Sequence, residues 1–367
     1  MTRLREALSG LAEEAPMVSL ADVAIAGHRR RQRVTMAATT VATVAALVAS
    51  AAVATVVWPR GAYPAAPQRA DAVADLPDGK VGALGYAYKT PCDVSEDNQV
   101  INCRVQEWRV VTRAGTTYRV PQALTVTRKG DRVPITISRD GRMLAYYSRE
   151  AQAHVVRDLV TGAVMTSPVK VKEERVQVGN QLVVSDDGRY VGFDPRVGSK
   201  DTGLLIDVRA GKSVPIPAKF EVISIKGGIA ELVRYGRTDM WLMPVTGGGK
   251  PVHFDGTFID FSEIAPDGRT LVANDHNDYR NKRQTLTVLD AKTGRIVRKV
   301  PIRGLPKDGG FHGASIWQSP SEVLILSEGK KAGTYAVDIE TGKARRVADY
   351  SSGRKTDLIL PGKAGGK

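Results

Sequence analysis

The sequence is poor in cysteine and in aromatic residues. It has 2 Cys and 4 Trp among 367 residues, and aromatic residues make up 6% of the chain. Two cysteines are too few for a disulfide-stabilised scaffold or for a zinc site with four cysteine ligands. The hydrophobic fraction of 42% and the charged fraction of 25% are ordinary values. They exclude a wholly disordered chain and a transporter with many membrane spans.

Motifs for catalysis, metal binding and nucleotide binding are also missing. The histidines form no His-Glu-x-x-His arrangement, and the chain has no Gly-x-Ser-x-Gly elbow and no glycine-rich phosphate loop. Residues 274–278 carry side chains that bind metals elsewhere, but they lack the spacing and the final glutamate of an EF-hand. We therefore predict no catalytic, cofactor-binding or metal-binding residues, and no cofactor.

One uncharged stretch is long enough to cross a membrane. Residues 35–58 contain no charged side chain, and a helix of this length spans about 36 Å, against about 30 Å for a hydrocarbon core. Several arginines precede it and only Arg60 follows closely, so the positive-inside rule places the N-terminus in the cytoplasm and the rest of the chain outside. The preceding arginines are Arg29, Arg30, Arg31 and Arg33.

A cleaved signal peptide is the alternative to this anchor, because residues 49–54 contain two Ala-x-Ala cleavage patterns. We favour the retained anchor, since the apolar run and the polar segment before it are longer than those of a typical signal peptide. The sequence then begins with a cytoplasmic amphipathic tail at 1–34, a transmembrane helix at 35–58 and a Pro/Ala/Gly linker at 59–77. Residues 1–28 are either a solvated stalk or a docking segment for a cytoplasmic partner.

A short pattern recurs through the rest of the chain. An alternating apolar strand, often ending in Asp, leads into a turn that closes on glycine, as in residues 155–162 and 287–294. The closing glycines are separated by 37 to 49 residues, which is typical of one four-stranded propeller blade per copy. These glycines are Gly115, Gly162, Gly211, Gly248, Gly294 and Gly342.

A second pattern, an Asp-Gly turn that enters an apolar strand, precedes the first in most copies. Asp-Gly suits a tight hairpin, because glycine accepts a positive φ and aspartate bonds its own backbone. We interpret these residues as structural turns and not as catalytic acids. The pairs are Asp78-Gly79, Asp140-Gly141, Asp187-Gly188 and Asp267-Gly268.

These two patterns identify a family resemblance. A Ser/Pro-Asp-Gly-Arg turn stands before Leu-Ala-Tyr-like strands, and a Val-x-Asp-x-x-Thr-Gly hairpin follows them. In these motifs, residues 78–360 resemble the WD40-like β-propellers of the TolB type. The Gly-His and Trp-Asp signatures of WD40 repeats proper are missing. The resemblance implies an all-β propeller of six or seven four-stranded blades. Residues 356–360 are expected to complete the first blade and close the ring, and residues 361–367 to form a disordered tail.

The two cysteines lie in an insertion between two strands of the first predicted blade. Outside the membrane, Cys92 and Cys103 are able to persist as a disulfide, and closing so short a loop contributes about 3 kcal/mol in the chain-entropy model. We predict this disulfide, with a free or metal-binding pair as the alternative. A thioredoxin-like redox role is disfavoured, because the spacing is not Cys-x-x-Cys.

The predicted binding face is the rim that carries the connections between the second and third strands of the blades. Loops on a rigid scaffold often carry binding residues, and the long insertions at 92–103, 194–201 and 274–283 belong to this rim. The alternative is a solvated basic surface without a specific ligand. The candidate binding residues are Arg149, Arg196, Lys200, His276, Tyr279, Arg280, Lys282, Arg283, Lys330 and Lys331.

The net charge of +14 and the pI of 9.7 favour an anionic partner. Nucleic acid is not expected, because the basic domain is predicted outside the membrane and aromatic stacking platforms are scarce. We therefore expect a bacterial single-pass membrane protein that contacts the lipid bilayer through residues 35–58. Its extracytoplasmic propeller is expected to bind a protein or an anionic envelope polymer. One alternative is a signalling protein, similar to anti-sigma regulators, whose propeller senses an external ligand. Another is a propeller enzyme that uses carboxylates lining the channel.

Overall fold

The computed structural model describes residues 73–94, 101–196, 200–235, 238–281, 283–306, 311–327, 333–350 and 356–366. The predicted cytoplasmic tail, the predicted transmembrane helix with the arginines before it, and nearly all of the linker lie outside these residues. Within the described ranges, no helix is long and apolar enough to cross a membrane.

The described residues are almost entirely β-structure, with one short α-helix, α1 (His276–Arg280). In chain order the strands are β1 (Leu84–Lys89), β2 (Asp93–Val94), β3 (Ile101–Asn102), β4 (Trp108–Thr112), β5 (Thr117–Arg119), β6 (Ile135–Ile137), β7 (Met143–Ser148), β8 (Ala153–Asp158), β9 (Val164–Lys170), β10 (Gln181–Val184), β11 (Tyr190–Asp194), β12 (Gly203–Asp207), β13 (Lys212–Ile216), β14 (Glu221–Lys226), β15 (Ile229–Arg234), β16 (Asp239–Pro244), β17 (Val252–His253), β18 (Phe258–Phe261), β19 (Thr270–Asp275), β20 (Thr285–Asp290), β21 (Ile296–Pro301), β22 (Phe311–Trp317), β23 (Glu322–Ser327), β24 (Gly333–Asp338), β25 (Ala344–Asp349) and β26 (Thr356–Ile359).

Within the described residues all of these strands except β2 and β3 form six four-stranded antiparallel sheets, the blades of a propeller, and β2 and β3 pair with each other. Blades 2 to 6 each take four consecutive strands, from β6–β9 for blade 2 to β22–β25 for blade 6. The first strands of neighbouring blades lie beside one another, as β10 does with β6 and β14. They therefore surround a central channel. The sequence prediction of an all-β propeller is confirmed, with six blades and not seven.

Blade 1 is built from both ends of the described chain. Its strand order is β26-β1-β4-β5, with Ala87 of β1 opposite Ile359 of β26. This confirms the predicted ring closure, which pairs an edge that would otherwise be open. Because β26 takes the innermost position, Asp78-Gly79 is not a hairpin turn, unlike the pairs at 140–141, 187–188 and 267–268. It lies in the segment that leads into β1, and Arg157 of blade 2 donates to the carbonyl of Pro77 there.

The hydrophobic core lies between the blades. Side chains of a strand alternate between two faces, so a sheet is able to present apolar side chains to the blades on either side of it. Between blades 2 and 3, for example, Met143 and Tyr147 pack with Phe193 and Ile206. Similar buried clusters join blades 1 and 2, 3 and 4, 4 and 5, and 5 and 6.

Candidate functional site

The antiparallel strands place the connections of each blade on two opposite rims. Connections between the first and second strands, and between the third and fourth, share one rim, which we call the turn rim. Connections between the second and third strands share the opposite rim with the segments that lead from one blade to the next, and we call it the loop rim. The turn rim includes residues 138–142, 185–189 and 265–269, and the loop rim includes residues 149–152, 276–284, 130–134 and 178–180.

The turn rim is held together by its own motif residues. In blades 2, 3 and 5, the arginine after the Asp-Gly pair donates to the aspartate that ends the third strand, and that aspartate also accepts backbone N–H groups of the next turn. In blade 5, Arg269 donates to Asp290 at 2.8 and 2.6 Å, and Asp290 accepts from the N–H of Lys292 at 2.9 Å. The hydrogen bonds from Arg269 lower the pKa of Asp290 to about 2, against the effect of burial. The matching pairs are Arg142–Asp158 in blade 2 and Arg189–Asp207 in blade 3.

Two buried carboxylates join neighbouring blades near the channel. Glu231 of blade 4 accepts from the backbone N–H of Ile264 in blade 5, at 3.0 and 3.1 Å. Glu263 of blade 5 accepts from the backbone N–H of Trp317 in blade 6 at 3.1 Å, and Arg139 donates to it at 3.2 Å. Burial raises the pKa of Glu231 to about 7 and raises that of Glu263 as well. Each carboxylate is engaged by backbone of the next blade, an arrangement suited to fastening the ring.

Residues 361–366 lie in the channel, whereas the sequence predicted a disordered tail at 361–367. After β26 the chain turns at the turn rim, where the N–H of Gly362 donates to Ile137 at 2.9 Å. It then runs back between the innermost strands β6 and β10. Gly365 and Leu182 exchange two backbone hydrogen bonds, of 3.0 and 2.9 Å, and Ala364 is buried.

Glycines explain why this segment fits and why the sequence did not reveal it. A Cβ on Gly365 would lie 2.0 Å from the carbonyl oxygen of Ile135, and one on Gly366 would lie 2.2 Å from that of Asn180. Only residues without a side chain fit so narrow a space. The composition of residues 361–367 resembles that of a flexible tail, yet the same glycines permit close packing.

The predicted disulfide is present. Cys92 and Cys103 are bonded, with their Cα atoms 4.3 Å apart. The bond lies in the connection between β1 and β4, on the loop rim, as expected from the insertion. Directly beside it the short strands β2 and β3 pair, with Asp93 opposite Asn102. Ile101 and Val105 around the second cysteine are 65% and 55% exposed, so this ribbon presents apolar side chains to its surroundings.

The predicted binding residues that are described all lie in connections of the loop rim, but several of their charges are already paired. Arg149 donates to Glu173 at 2.8 and 3.0 Å, and Arg283 lies 3.6 Å from Asp278. His276 is half-buried in α1, whereas Tyr279 is 48% exposed. Lys282, Lys330 and Lys331 lie outside the described residues. The remaining described cations, all exposed, are Arg196, Lys200 and Arg280.

A cavity of about 420 Å³ opens at the channel mouth on the loop rim. We call it the mouth cavity. Its walls come from the segments before β6 and β10, from Asp357 and Ile359 of β26, from Trp108 at the start of β4 and from Gly366 in the channel. Asp357 of β26 pairs with buried Lys89 and, at 3.3 Å, with Arg132. The lining residues that matter most for its chemistry are Trp108, Asp131, Arg132, Val178, Asn180 and Asp357.

Sequence reasoning missed the mouth cavity because it considered only connections within blades. The segments between blades carry a signal of their own. Gly130 and Gly179 each stand just before a first strand, are each followed by a polar pair, and are 49 residues apart, in step with the repeat. Both glycines have positive φ, 89° and 77°, so each turns the chain into its innermost strand.

A second, wider groove of about 940 Å³ lies between blades 1 and 2. We call it the outer groove. Arg149 and Glu150 line it on the loop rim, and Val105 and Val164 add exposed apolar surface. The two hollows thus flank blade 1, one at the axis and one toward the outside of the ring.

No family model and no curated protein matches the sequence. Among solved structures, the chain is similar to TolB from Acinetobacter baumannii, with 14% identity over 76% of this chain and 67% of that one, at a TM-score of 0.48. It is also similar to hydrazine synthase of Kuenenia stuttgartiensis, with 15% identity over 61% and 67% and a TM-score of 0.39. For U3-55K the identity is 11% over 77% and 86%, with a TM-score of 0.42. At such values the assignment of the fold depends on the strand pairing described above.

Proposed function

We propose that this protein is a membrane-anchored, extracytoplasmic binding module whose loop rim captures an anionic partner in the cell envelope, either a protein or a polymer. The observation that carries the proposal is the unequal use of the two rims. Arg142, Arg189 and Arg269 of the turn rim are paired with aspartates of the same rim, and residues 361–366 occupy the channel. Open space and exposed cations are found together on the loop rim, at the mouth cavity, the outer groove and Arg196, Lys200 and Arg280.

The disulfide supports the extracytoplasmic position. Disulfides persist in oxidising compartments and are rare in the cytosol, and the bond between Cys92 and Cys103 belongs to the loop rim itself. The proposed topology also needs the uncharged residues 35–58 as an anchor and the preceding arginines on the cytoplasmic side. Protease treatment of intact spheroplasts tests it. We expect the propeller to be cut or shed from outside, and full protection of the propeller until lysis would contradict the topology.

Charge reversal on the loop rim tests the binding. In the full chain, Arg196→Glu, Lys200→Glu and Arg280→Glu together should lower capture of envelope material by about tenfold, because the field that attracts an anionic partner is reversed. The matched control makes the same charge change on the turn rim, with Arg209→Glu, Lys292→Glu and Lys343→Glu, all at exposed positions. Equal capture by the two variants would contradict the proposal.

A further inference from the structure

The junction between blades 6 and 1 is built differently from the other five. A buried apolar cluster joins each of those five pairs of neighbouring blades, whereas none among the described residues includes members of both blade 6 and blade 1. Val323 and Ile325 of β23 are buried against blade 5. Leu324 and Leu326 point to the opposite face, toward blade 1, and are only half-buried. Apolar packing of the described residues therefore contributes less at this junction than elsewhere in the ring.

The hairpin glycines show the same difference. In blades 5 and 6, the glycine that closes the hairpin between the third and fourth strands lies against the preceding blade. A Cβ on Gly294 would lie 1.8 Å from the carbonyl oxygen of His253, and one on Gly342 would lie 2.1 Å from that of Pro301. In the described part of the chain, a Cβ on Gly115 of blade 1 would meet nothing within 4 Å. At this glycine, the hairpin of blade 1 is therefore not packed against blade 6 as its equivalents are packed against their neighbours.

Residues 356–366, which we call the clasp, span this junction. They follow blade 6 in the chain, and Gly362 lies against Ile316 of that blade. Two of their buried apolar side chains pack on other blades, Ile359 with blades 1 and 2 and Ala364 with blades 3 and 4. The clasp therefore links blade 6 to the blades on the far side of the junction.

The contacts between the clasp and blade 1 are suited to release. β26 pairs with β1 in a register that is irregular between Ala87 and Lys89. In this interval of β26, Asp357 has a φ of 49°, which is uncommon for a residue other than glycine. Its carboxylate pairs with buried Lys89 and with Arg132 of the segment before β6. Burying such charges costs solvation free energy, and this part is regained when the clasp leaves.

We propose that the clasp leaves as one unit and opens the ring between blades 6 and 1, while the other five junctions stay closed. Parts of a protein that few buried apolar contacts hold in place open without global unfolding. Release empties the channel and removes Asp357, Ile359 and Gly366 from the wall of the mouth cavity. A molecule that binds the complete cavity would therefore favour the closed ring. This inference goes beyond the proposed function and does not depend on it.

Hydrogen exchange of the full chain in mild detergent tests the release. The N–H groups of Gly362, Gly365 and Leu182 form the hydrogen bonds of the channel segment, and they should share one protection factor, because a single opening frees all three. That factor should be at least about tenfold lower than the factor at Ser262, whose N–H bonds Val272 inside blade 5. Different protection at the three sites, or a common value as high as that of Ser262, would overturn the proposal.

A disulfide between β1 and β26 tests whether the clasp is one unit. Ala87 and Ile359 lie opposite each other, so Ala87→Cys with Ile359→Cys should form a bond that holds β26 in place. Exchange at Leu182, which contacts the other end of the clasp, should then slow by about tenfold. The matched control, Ala273→Cys with Thr287→Cys, bonds an opposite buried pair inside blade 5 and should leave Leu182 unchanged. Unchanged exchange at Leu182 in the first variant, or equal slowing in both, would contradict the proposal.

Single cysteine variants give a second measurement that needs no new disulfide. Ile359 and Ala273 are 4% and 0% exposed, so a thiol at either position reacts only when the surrounding structure opens. Ile359→Cys should react with a maleimide at least about tenfold faster than Ala273→Cys, because release of the clasp exposes only the first. Equal reaction rates would show that the clasp does not leave on its own.

Discussion

Arg269 and Asp290 are joined by two hydrogen bonds that connect two turns of blade 5 which are neighbours in space but not in sequence. Asp290 at the same time accepts from the backbone N–H groups of Lys292 and Thr293. A single carboxylate therefore holds the end of one strand, the start of the following turn and the preceding Asp-Gly turn. The repeated Asp-Gly-Arg turn and the aspartate that ends the third strand therefore stabilise the turn rim.

Replacing Asp290 tests this role. Asp290→Asn should lower the free energy of unfolding by about 1 kcal/mol, a value reduced by the 60% exposure of the Arg269 side chain. The pKa of Asp290 is about 2, below its usual 3.8, so its contribution is present above pH 4 and is lost as the pH falls toward 2. The difference in the free energy of unfolding between the two proteins, measured with urea, should become smaller over that range.

Asp338→Asn is the matched control for Asp290→Asn. Asp338 makes the same turn contacts in blade 6, to the N–H groups of Glu340 and Thr341, but position 321 there is Ser and not Arg. Asp338→Asn should therefore lower the free energy of unfolding by less than Asp290→Asn does. Equal losses from the two substitutions would show that the arginine adds nothing.

The sequence predicted the fold well, because periodic turns report local backbone chemistry. The turns at Asp140-Gly141 and its equivalents require a positive φ at glycine, which is 78° at Gly141. This requirement can be recognised in the sequence from the glycine itself. Counting these signals limited the number of blades to six or seven, and residues 356–360 were recognised as a strand that closes the ring. The predicted loop rim followed from strand alternation alone.

The mouth cavity and the filled channel could not be predicted in this way. Both bring together residues far apart in sequence: Trp108 and Asn180 line the same cavity, and Gly365 bonds Leu182 in the channel. The predicted basic face also overstated its free charge, since the partners of Arg149 and Arg283 lie in other segments or on the opposite side of a turn. Composition records how many charges exist but not which of them are paired.

Glu231 should make the protein less stable as the pH rises. Burial raises its pKa from 4.5 to about 7, so the folded state binds more protons than the unfolded state between these values, and stability declines as the pH increases through that window. Glu231→Gln keeps an acceptor for the N–H of Ile264 and should remove this decline. Chemical unfolding at pH 5 and pH 8 measures it, and parallel curves for both proteins would contradict the assigned role.

His154 should make the protein less stable as the pH falls. It lies between Tyr147 and Phe193, with ring centroids 5.6 and 4.7 Å away, and burial lowers its pKa from 6.5 to about 3. The unfolded state therefore binds the proton first, and stability is lost as the pH falls below 6.5. His154→Phe keeps a ring without a titrating nitrogen. Its melting temperature should exceed that of the unmodified protein by more at pH 5 than at pH 8, and an advantage independent of pH would refute this explanation.

Replacing Gly365 tests whether residues 361–366 belong to the folded ring. A methyl group there would lie 2.0 Å from the carbonyl oxygen of Ile135, whereas one on Gly79 would meet nothing within 4 Å. Neither glycine has a positive φ, so the two differ chiefly in the space around them. Gly365→Ala should lower stability by about 1–3 kcal/mol and speed hydrogen exchange at the N–H of Leu182, which bonds Gly365. Gly79→Ala should leave both unchanged. If the two variants unfold alike and Leu182 stays equally protected, the segment does not occupy the channel in solution.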